Sequence, residues 1–329
     1  MSETLLSIED LVVEFRQGRK TRVHAVDGVS LTVAAGEFVA LVGESGCGKT
    51  TTAQTAMRMV EATSGTIRYR DRDITHASQR EMRPVRREMQ IIFQDPYESL
   101  DPRFRVKDIV AEPLQIHGIG DREARVGAAL ERAGLTPADL YMERYPHELS
   151  GGQRQRVSIA AALALEPTML LADEPVSMLD VSVRAGILGL LDELRQSGLG
   201  ILMITHDLST AAHYADRICV MYLGRIVEEA DARQLVAAPR HPYTQALISA
   251  VPLPDPVRAR SRDRIVLSGE LPSPVHPPSG CPFHTRCPLR EERCTREVPP
   301  LATIASGHAV ACHLVESPGL PASPVSRRL

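Results

Sequence analysis

The chain has 329 residues, 43% apolar and 24% charged, with a net charge of −3. That length suits about two domains with a sizeable core, and the composition excludes a disordered or fibrous chain. The slight negative charge and the 4% aromatic content, with no Trp, argue against a nucleic-acid partner, which needs positive charge and stacking rings.

No apolar run approaches the ~18 residues of a membrane-spanning helix. Residues 1–10 lack the basic start and apolar stretch of a secretory signal, so the sequence reads as that of a cytosolic protein. The averages hide a break. From residue 235 onward lie 16 of the 24 prolines and four of the six cysteines, in a stretch of net charge +4, whereas the preceding residues carry −7. A main domain, residues 1–235, is therefore expected to give way to a Pro-rich, loop-heavy extension, residues 236–329.

In chain order, residues 7–15 and 23–33 alternate apolar and polar positions and predict two strands joined by a polar Gln-Gly-Arg-Lys turn. Residues 37–42 predict a short apolar strand that runs into a glycine loop and then a helix over 49–59. Strands are expected over 65–69 and 89–93, and helices over 106–117, 122–133 and 152–165. The arginine-rich stretch 68–87 reads as a solvated face. A buried strand at 168–172, a helix at 181–196, a strand at 200–205 and a helix–strand pair within 208–222 follow. Strands alternating with helices predict a mostly parallel sheet covered on both faces.

The glycine loop is Gly43-Glu44-Ser45-Gly46-Cys47-Gly48-Lys49-Thr50, followed by Thr51. It fits G-x-x-x-x-G-K-[ST] between a predicted strand and helix, the context a phosphate loop requires. Gly43, Gly46 and Gly48 let backbone N–H groups turn onto phosphate oxygens, and the helix start adds partial positive charge. Lys49 would bridge the β- and γ-phosphates, and the Thr50 hydroxyl would ligate Mg²⁺. A plain Gly-rich turn is the competing reading. Farther on, the apolar run 169–172 ends in Asp173-Glu174. Paired acids closing a buried strand need a cation or a proton. Asp173 would hold Mg²⁺ through water, and Glu174 would orient or deprotonate an attacking water. Helix capping by either acid is the alternative.

Leu149-Ser150-Gly151-Gly152-Gln153 precedes a basic amphipathic helix. Ser150 with Gln153 makes a capping box, but two glycines at a helix start are costly unless bare N–H groups approach an anion. This pentapeptide, between the phosphate loop and the paired acids, resembles the signature of an ATP-binding cassette (ABC) ATPase. The other family motifs follow in order: Gln94 in Phe93-Gln94-Asp95-Pro96, Ser177-Met178-Leu179-Asp180, and His206 in Thr205-His206-Asp207. Met178 stands where the family usually has Ala. The resemblance implies an α/β fold with a P-loop NTPase (RecA-like) core, an antiparallel β subdomain, an α-helical signature subdomain at about 96–165 and a small irregular C-terminal extension. It implies ATP and Mg²⁺ as cofactors, with Thr50, Gln94 and Asp173 on the metal. Glu174, His206 and Gln94 are then catalytic, Phe15 stacks on adenine, and Ser150, Gly151, Gly152 and Gln153 meet ATP bound to a second subunit.

His241-Pro-Tyr-Thr-Gln-Ala-Leu247 and Arg286-Cys-Pro-Leu289 resemble the C-terminal extension of dipeptide/oligopeptide permease ATPases, and Val176 resembles the second, F-type member of the pair. The implied role is powering peptide import from the cytoplasmic face of the membrane. The implied partners are a second ATPase in a heterodimer, two transmembrane permease subunits and an extracytoplasmic solute-binding protein. Nickel or glutathione import, or a non-transport ABC ATPase, are the alternatives. An electron-transfer protein built on the tail would leave the nucleotide motifs unexplained. Cys281, Cys287, Cys294 and Cys312 lack the C-x-x-C knuckles of zinc sites, and disulfides do not suit the cytosol. Four thiolates in a Pro-rich loop suit a [4Fe–4S] cluster, which related permease ATPases carry. Zinc, helped by His284, His308 or His313, and unliganded thiols are the other readings. A cluster would staple a domain too poor in apolar residues to fold alone.

Overall fold

The computed structural model describes residues 3–17, 21–95, 99–251 and 264–315. Two long strands open the chain, β1 (Thr4–Gln17) and β2 (Thr21–Ala34), and pair antiparallel from Thr4↔Ala34 to Gln17↔Thr21. They outrun the predicted 7–15 and 23–33 because the ladder continues past the apolar alternation. At their polar ends Arg22 and Glu14 pair across the strands at 2.6 Å. With β4 (Ser64–Tyr69) and β5 (Arg72–Asp73) they form a four-stranded antiparallel sheet of order β2-β1-β4-β5.

The second sheet holds β3 (Phe38–Val42), β6 (Met89–Ile92), β7 (Met169–Asp173), β8 (Gly200–Thr205), β9 (Arg217–Tyr222), β10 (Arg225–Asp231), β11 (Ala302–Ala305) and β12 (His308–Val310). Their order is β11-β12-β10-β9-β3-β8-β7-β6. The five strands from β9 to β6 are parallel and the other three antiparallel. Every residue of β3, β7 and β8 is buried, as parallel strands covered on both faces must be. Alternate residues serve different cores. Phe38, Ala40, Val42, Leu170, Ile201, Met203, Ile218 and Val220 face a core under helices Val106–Ile116, Arg122–Arg132, Gly151–Leu163 and Val181–Gln196. Val39, Leu41, Leu171, Leu202, Ile204, Cys219 and Met221 face the core shared with the four-stranded sheet and helix Lys49–Ala56.

The arginine-rich stretch contains a helix, Gln79–Glu88, that its composition concealed. Ser78 and Glu81 close a capping box at its start, and Met82 and Val85 are its buried residues. Two apolar positions and an internal Pro84 are too few to display a 3.6-residue period.

The C-terminal segment is loop-rich but tied to the rest of the chain at several points. Helices Ala232–Ala237 and Pro242–Ala250 follow β10, and β12 pairs with β10 from Glu228↔Val310 to Ala230↔His308. Cys281, Phe283 and Cys294 belong to the same core as the helical layer. Tyr222 of β9 meets Tyr243 and Phe283 edge-on, with ring centroids 4.8 and 5.2 Å apart, a favoured aromatic geometry. The Glu228 carboxylate, fully buried, accepts the N–H groups of Arg240 (2.7 Å) and His241 (2.9 Å) and lies 2.8 Å from His308 Nε2. It thus fixes both the exit from β10 and the returning hairpin.

His241 is the N-cap of helix Pro242–Ala250, its Nδ1 accepting the Tyr243 N–H at 3.1 Å. Burial pushes its pKa down to about 4 from an ordinary 6.5, against the opposing pull of Glu228. The ring is therefore neutral in the fold, its centroid 5.5 Å from that of Phe283 and tilted 55° to it, while the His241 backbone N–H bonds to Glu228, which His308 also contacts. A lowered folded pKa contributes stability that is full above pH 6.5 and is lost as pH falls toward 4. Denaturant unfolding should show a loss of about 3 kcal/mol across that window. In His241→Asn, which keeps an acceptor without the titration, that part of the loss should disappear. Equal pH profiles for the two proteins would refute the assignment.

Candidate functional site

The sheet register aligns four strand ends. Val42 of β3 lies opposite Thr205 of β8, Asp173 of β7 opposite Ile204, and Ile92 of β6 opposite Ala172. The segments leaving these strands therefore emerge side by side at their carboxyl ends, where open α/β sheets bind ligands. They border a cleft of about 610 Å³ lined by Gly43, Glu44, Ser45, Gly46, Gly48, Lys49, Thr50, Thr51, Gln94, Glu174 and His206.

The phosphate loop is wedged between backbone segments. Gly48 has φ +106°, and a Cβ there would sit 2.1 Å from the Ala25 carbonyl oxygen. Only glycine fits that position. Cys47 is buried beneath the loop, its thiol pushed up by burial. Lys49 is buried, and its ammonium donates to the carbonyls of Gly43 (2.8 Å) and Glu44 (2.9 Å). These neutral acceptors leave its positive charge available to an anion.

Glu174 occupies a left-handed backbone conformation, φ +44°, with its N–H bonded to the Ile204 carbonyl at 2.9 Å. Such strain in a non-glycine residue persists only where the surroundings impose it, and the following Pro175 disfavours the ordinary helical alternative. The result is an aimed carboxylate. Gln94 Nε2 donates to its Oε2 at 3.2 Å, and His206 Nδ1 lies 3.1 Å from its Oε1. Beside it Asp173 is buried, and its Oδ1 accepts the Thr50 hydroxyl at 3.1 Å. Burial holds the Asp173 pKa above the usual carboxylate range, with Thr50 opposing and Glu174 adding to the rise. A desolvated acid beside a second acid gains by pairing with a cation. The hard oxygens of Thr50, Asp173 and Gln94 match the ligand preference of Mg²⁺.

Two groups of expected residues lie apart from the cleft. Phe15 is 42% exposed near the end of β1, and its cross-strand partner Val23 is the residue that lines the cleft. Ser150, Gly151, Gly152 and Gln153 open helix Gly151–Leu163 outside the cleft lining, with the capping box formed: Gln153 N–H donates to Ser150 Oγ (3.3 Å) and Ser150 N–H to Gln153 Oε1 (3.0 Å). Gly152 also has a packing reason, since a Cβ there would lie 2.5 Å from Val183 Cγ1. Sequence reasoning missed Val23, Ala25, Leu247 and Pro274 in the lining, and the contacts of Tyr243 and Arg286 with Glu44. Tyr243 and Arg286 lie inside the motifs quoted for the extension, but motif order carries no information about contacts some 200 residues apart.

The expectation of a [4Fe–4S] cluster on Cys281, Cys287, Cys294 and Cys312 is overturned. Among the described residues no group of three or more His, Cys, Asp or Glu side chains is placed to hold a metal ion. All four thiols are free. Burial pushes the Cys281, Cys287 and Cys312 thiols up to about 11. His284 Nδ1–H donates to the Cys281 carbonyl, His313 Nε2–H to the Glu297 carbonyl, and His308 contacts Glu228. The segment is held by the shared core instead, which the proline-rich composition obscured.

Comparison with known proteins agrees with this geometry. The ABC transporter family matches residues 26–177, and the oligopeptide/dipeptide transporter C-terminal region matches residues 227–294. The putative oligopeptide transport ATP-binding protein YkfD of Bacillus subtilis is 48% identical over 315 residues, covering 94% of this chain and 95% of that one. The oligopeptide transport ATP-binding protein AppF of the same organism is 46% identical, covering 95% and 98%. Among solved structures, the dimeric cassette MJ0796 in a post-hydrolysis state bound to ADP and Pi superposes with a TM-score of 0.64 at 28% identity, over 70% of this chain and 99% of that one.

The wedge at Gly48 separates two costs. Gly46 has φ +78° with open space at a Cβ, so Gly46→Ala should cost only the conformational penalty, about 1 kcal/mol. Gly48→Ala adds the collision with Ala25 and should cost about 3 kcal/mol. Urea unfolding of the two variants checks the order, and equal losses would contradict it.

Proposed function

Because the chain belongs to the ABC transporter ATPases of the oligopeptide/dipeptide type, we propose that it binds and hydrolyses ATP to power import of peptides across the cytoplasmic membrane. The observation that carries this reading is the Glu174 carboxylate, held between Gln94 and His206 in the cleft of the phosphate loop.

The N–H groups of residues 45–50, the start of helix Lys49–Ala56 and the Lys49 ammonium together attract the triphosphate. Thr50, Asp173 and Gln94 would hold Mg²⁺, which when bound offsets phosphate charge and polarises the transferred group. Glu174 accepts a proton from the water that attacks the γ-phosphorus; the bond to the β–γ bridging oxygen breaks, leaving ADP and inorganic phosphate. Gln94 and His206 fix the orientation of that carboxylate. Phe15, exposed beside Val23, supplies a ring for adenine.

Ser150, Gly151, Gly152 and Gln153 serve a second nucleotide site in this reading, meeting ATP held by a partner ATPase in a head-to-tail heterodimer. Met178 and Val181 support it as large apolar residues left exposed beside Asp180. Residues 1–235 form the nucleotide-binding domain, the helical portion at about 96–165 faces two transmembrane permease subunits, and residues 236–329 form the extension. Phe104, Ile116 and Leu140, large apolar residues exposed in that helical portion, support this docking role. Among the described residues no helix is long and apolar enough to cross a membrane. In this reading the subunit works peripherally at the cytoplasmic face, and an extracytoplasmic solute-binding protein delivers the peptide.

Glu174→Gln keeps the shape of the side chain and removes the base. Turnover in the assembled transporter should fall by about 10³-fold, while ATP affinity of the purified chain stays within about threefold. Hydrolysis persisting near the original rate would overturn the assignment.

A further inference from the structure

Three separate pieces of the C-terminal segment converge on the nucleotide cleft. Leu247 and Pro274 line it, and the Pro274 carbonyl accepts the His24 N–H at 3.0 Å, tying that piece to β2. Behind the phosphate loop, the Glu44 N–H donates to the Tyr243 hydroxyl at 3.0 Å, and Arg286 Nη1 lies 2.8 Å from Glu44 Oε2. Tyr243 is fully buried against Tyr222, and the Arg286 side chain is only 10% exposed, its guanidinium carbon 6.0 Å from the centre of the Tyr222 ring. Neither partner of Glu44 is a loosely held surface group.

We infer that Arg286 and Tyr243 are positioning residues of the nucleotide site, acting through Glu44, so that the C-terminal segment is a wall of the ATP pocket. This rests on the ATP-binding reading of the cleft. Glu44 is a carboxylate on the rim of a site built to attract a polyanion, and unopposed it would repel the triphosphate. The Arg286 charge cancels it in a partly desolvated position, where Coulomb interactions are weakly screened. The Tyr243 hydroxyl takes the Glu44 N–H, so that donor is turned away from the cleft and the anion cradle is left to the N–H groups that follow it. Arg286 thus sets the field of the loop, and Tyr243 its shape.

The test is ATP binding to the full chain at low and high salt, with KM for ATP measured in the assembled transporter. Arg286→Gln should weaken ATP binding about tenfold at low salt and less at high salt, raising KM with little change in kcat. Arg286→Lys should keep most of the affinity. In the pair Glu44→Gln/Arg286→Gln the repelling charge is gone as well, and affinity should return to within about threefold of the original. Should Arg286→Gln fail to fold, Glu44→Gln alone reads the same interaction with the opposite sign, tightening binding at low salt. Unchanged affinity in Arg286→Gln, a double variant as weak as the single, or weakened binding in Glu44→Gln would each overturn the inference. Lys49→Ala separates the two levels: if it binds ATP like the original chain, the nucleotide reading itself fails, whereas its loss of binding beside a normal Arg286→Gln sinks the inference alone.

Discussion

The register of the parallel strands is the constraint on which the rest of this molecule depends. With Val42 beside Thr205, Ile204 beside Asp173, and Ala172 beside Ile92, the segments that carry the phosphate loop, Glu174, His206 and Gln94 all leave the sheet at the carboxyl ends of neighbouring strands. A slip of one residue in any pairing would exchange the two cores along that strand, since alternate residues serve opposite faces. The packing that stabilises the sheet and the geometry that aligns Gly43, Glu174, His206 and Gln94 are therefore one requirement. The strained backbone at Glu174 is tolerable because its N–H is bonded into the neighbouring strand.

Much of this was legible in the sequence where local chemistry leaves a local mark. The apolar runs of β3, β7 and β8, the glycine loop and the paired acids each follow from residue types within a short window. The capping box at Ser150 was equally visible, although the packing of Gly152 against Val183 was not, because it joins two helices. Helix Gln79–Glu88 escaped because its buried face has two residues. The hairpin β11–β12 escaped because short strands with exposed residues, supported by pairing with β10, have no alternation to read.

The cysteines teach a similar lesson from the other side. Their spacing and the prolines around them point to a small domain in need of a staple. The structure satisfies that need by tertiary means: Phe283 and two of the thiols enter the main core, three aromatic rings meet at the end of β9, and one buried carboxylate gathers two backbone N–H groups and an imidazole. For a chain only 4% aromatic, the concentration of rings behind the phosphate loop is informative. It places rigid bulk where the nucleotide-binding backbone has to be held still.

The hairpin also settles where the large sheet stops. Its outermost strand on that side, β11, is four residues long with three of them exposed, a short and polar border of the kind that resists edge-to-edge pairing. Cutting the chain after the cassette would hand the border to β10, seven residues whose Ile226, Val227 and Ala230 are now covered. Such a fragment would carry a sticky, unpaired ribbon and an orphaned acid at Glu228, so poor solubility of the trimmed protein is built into the topology.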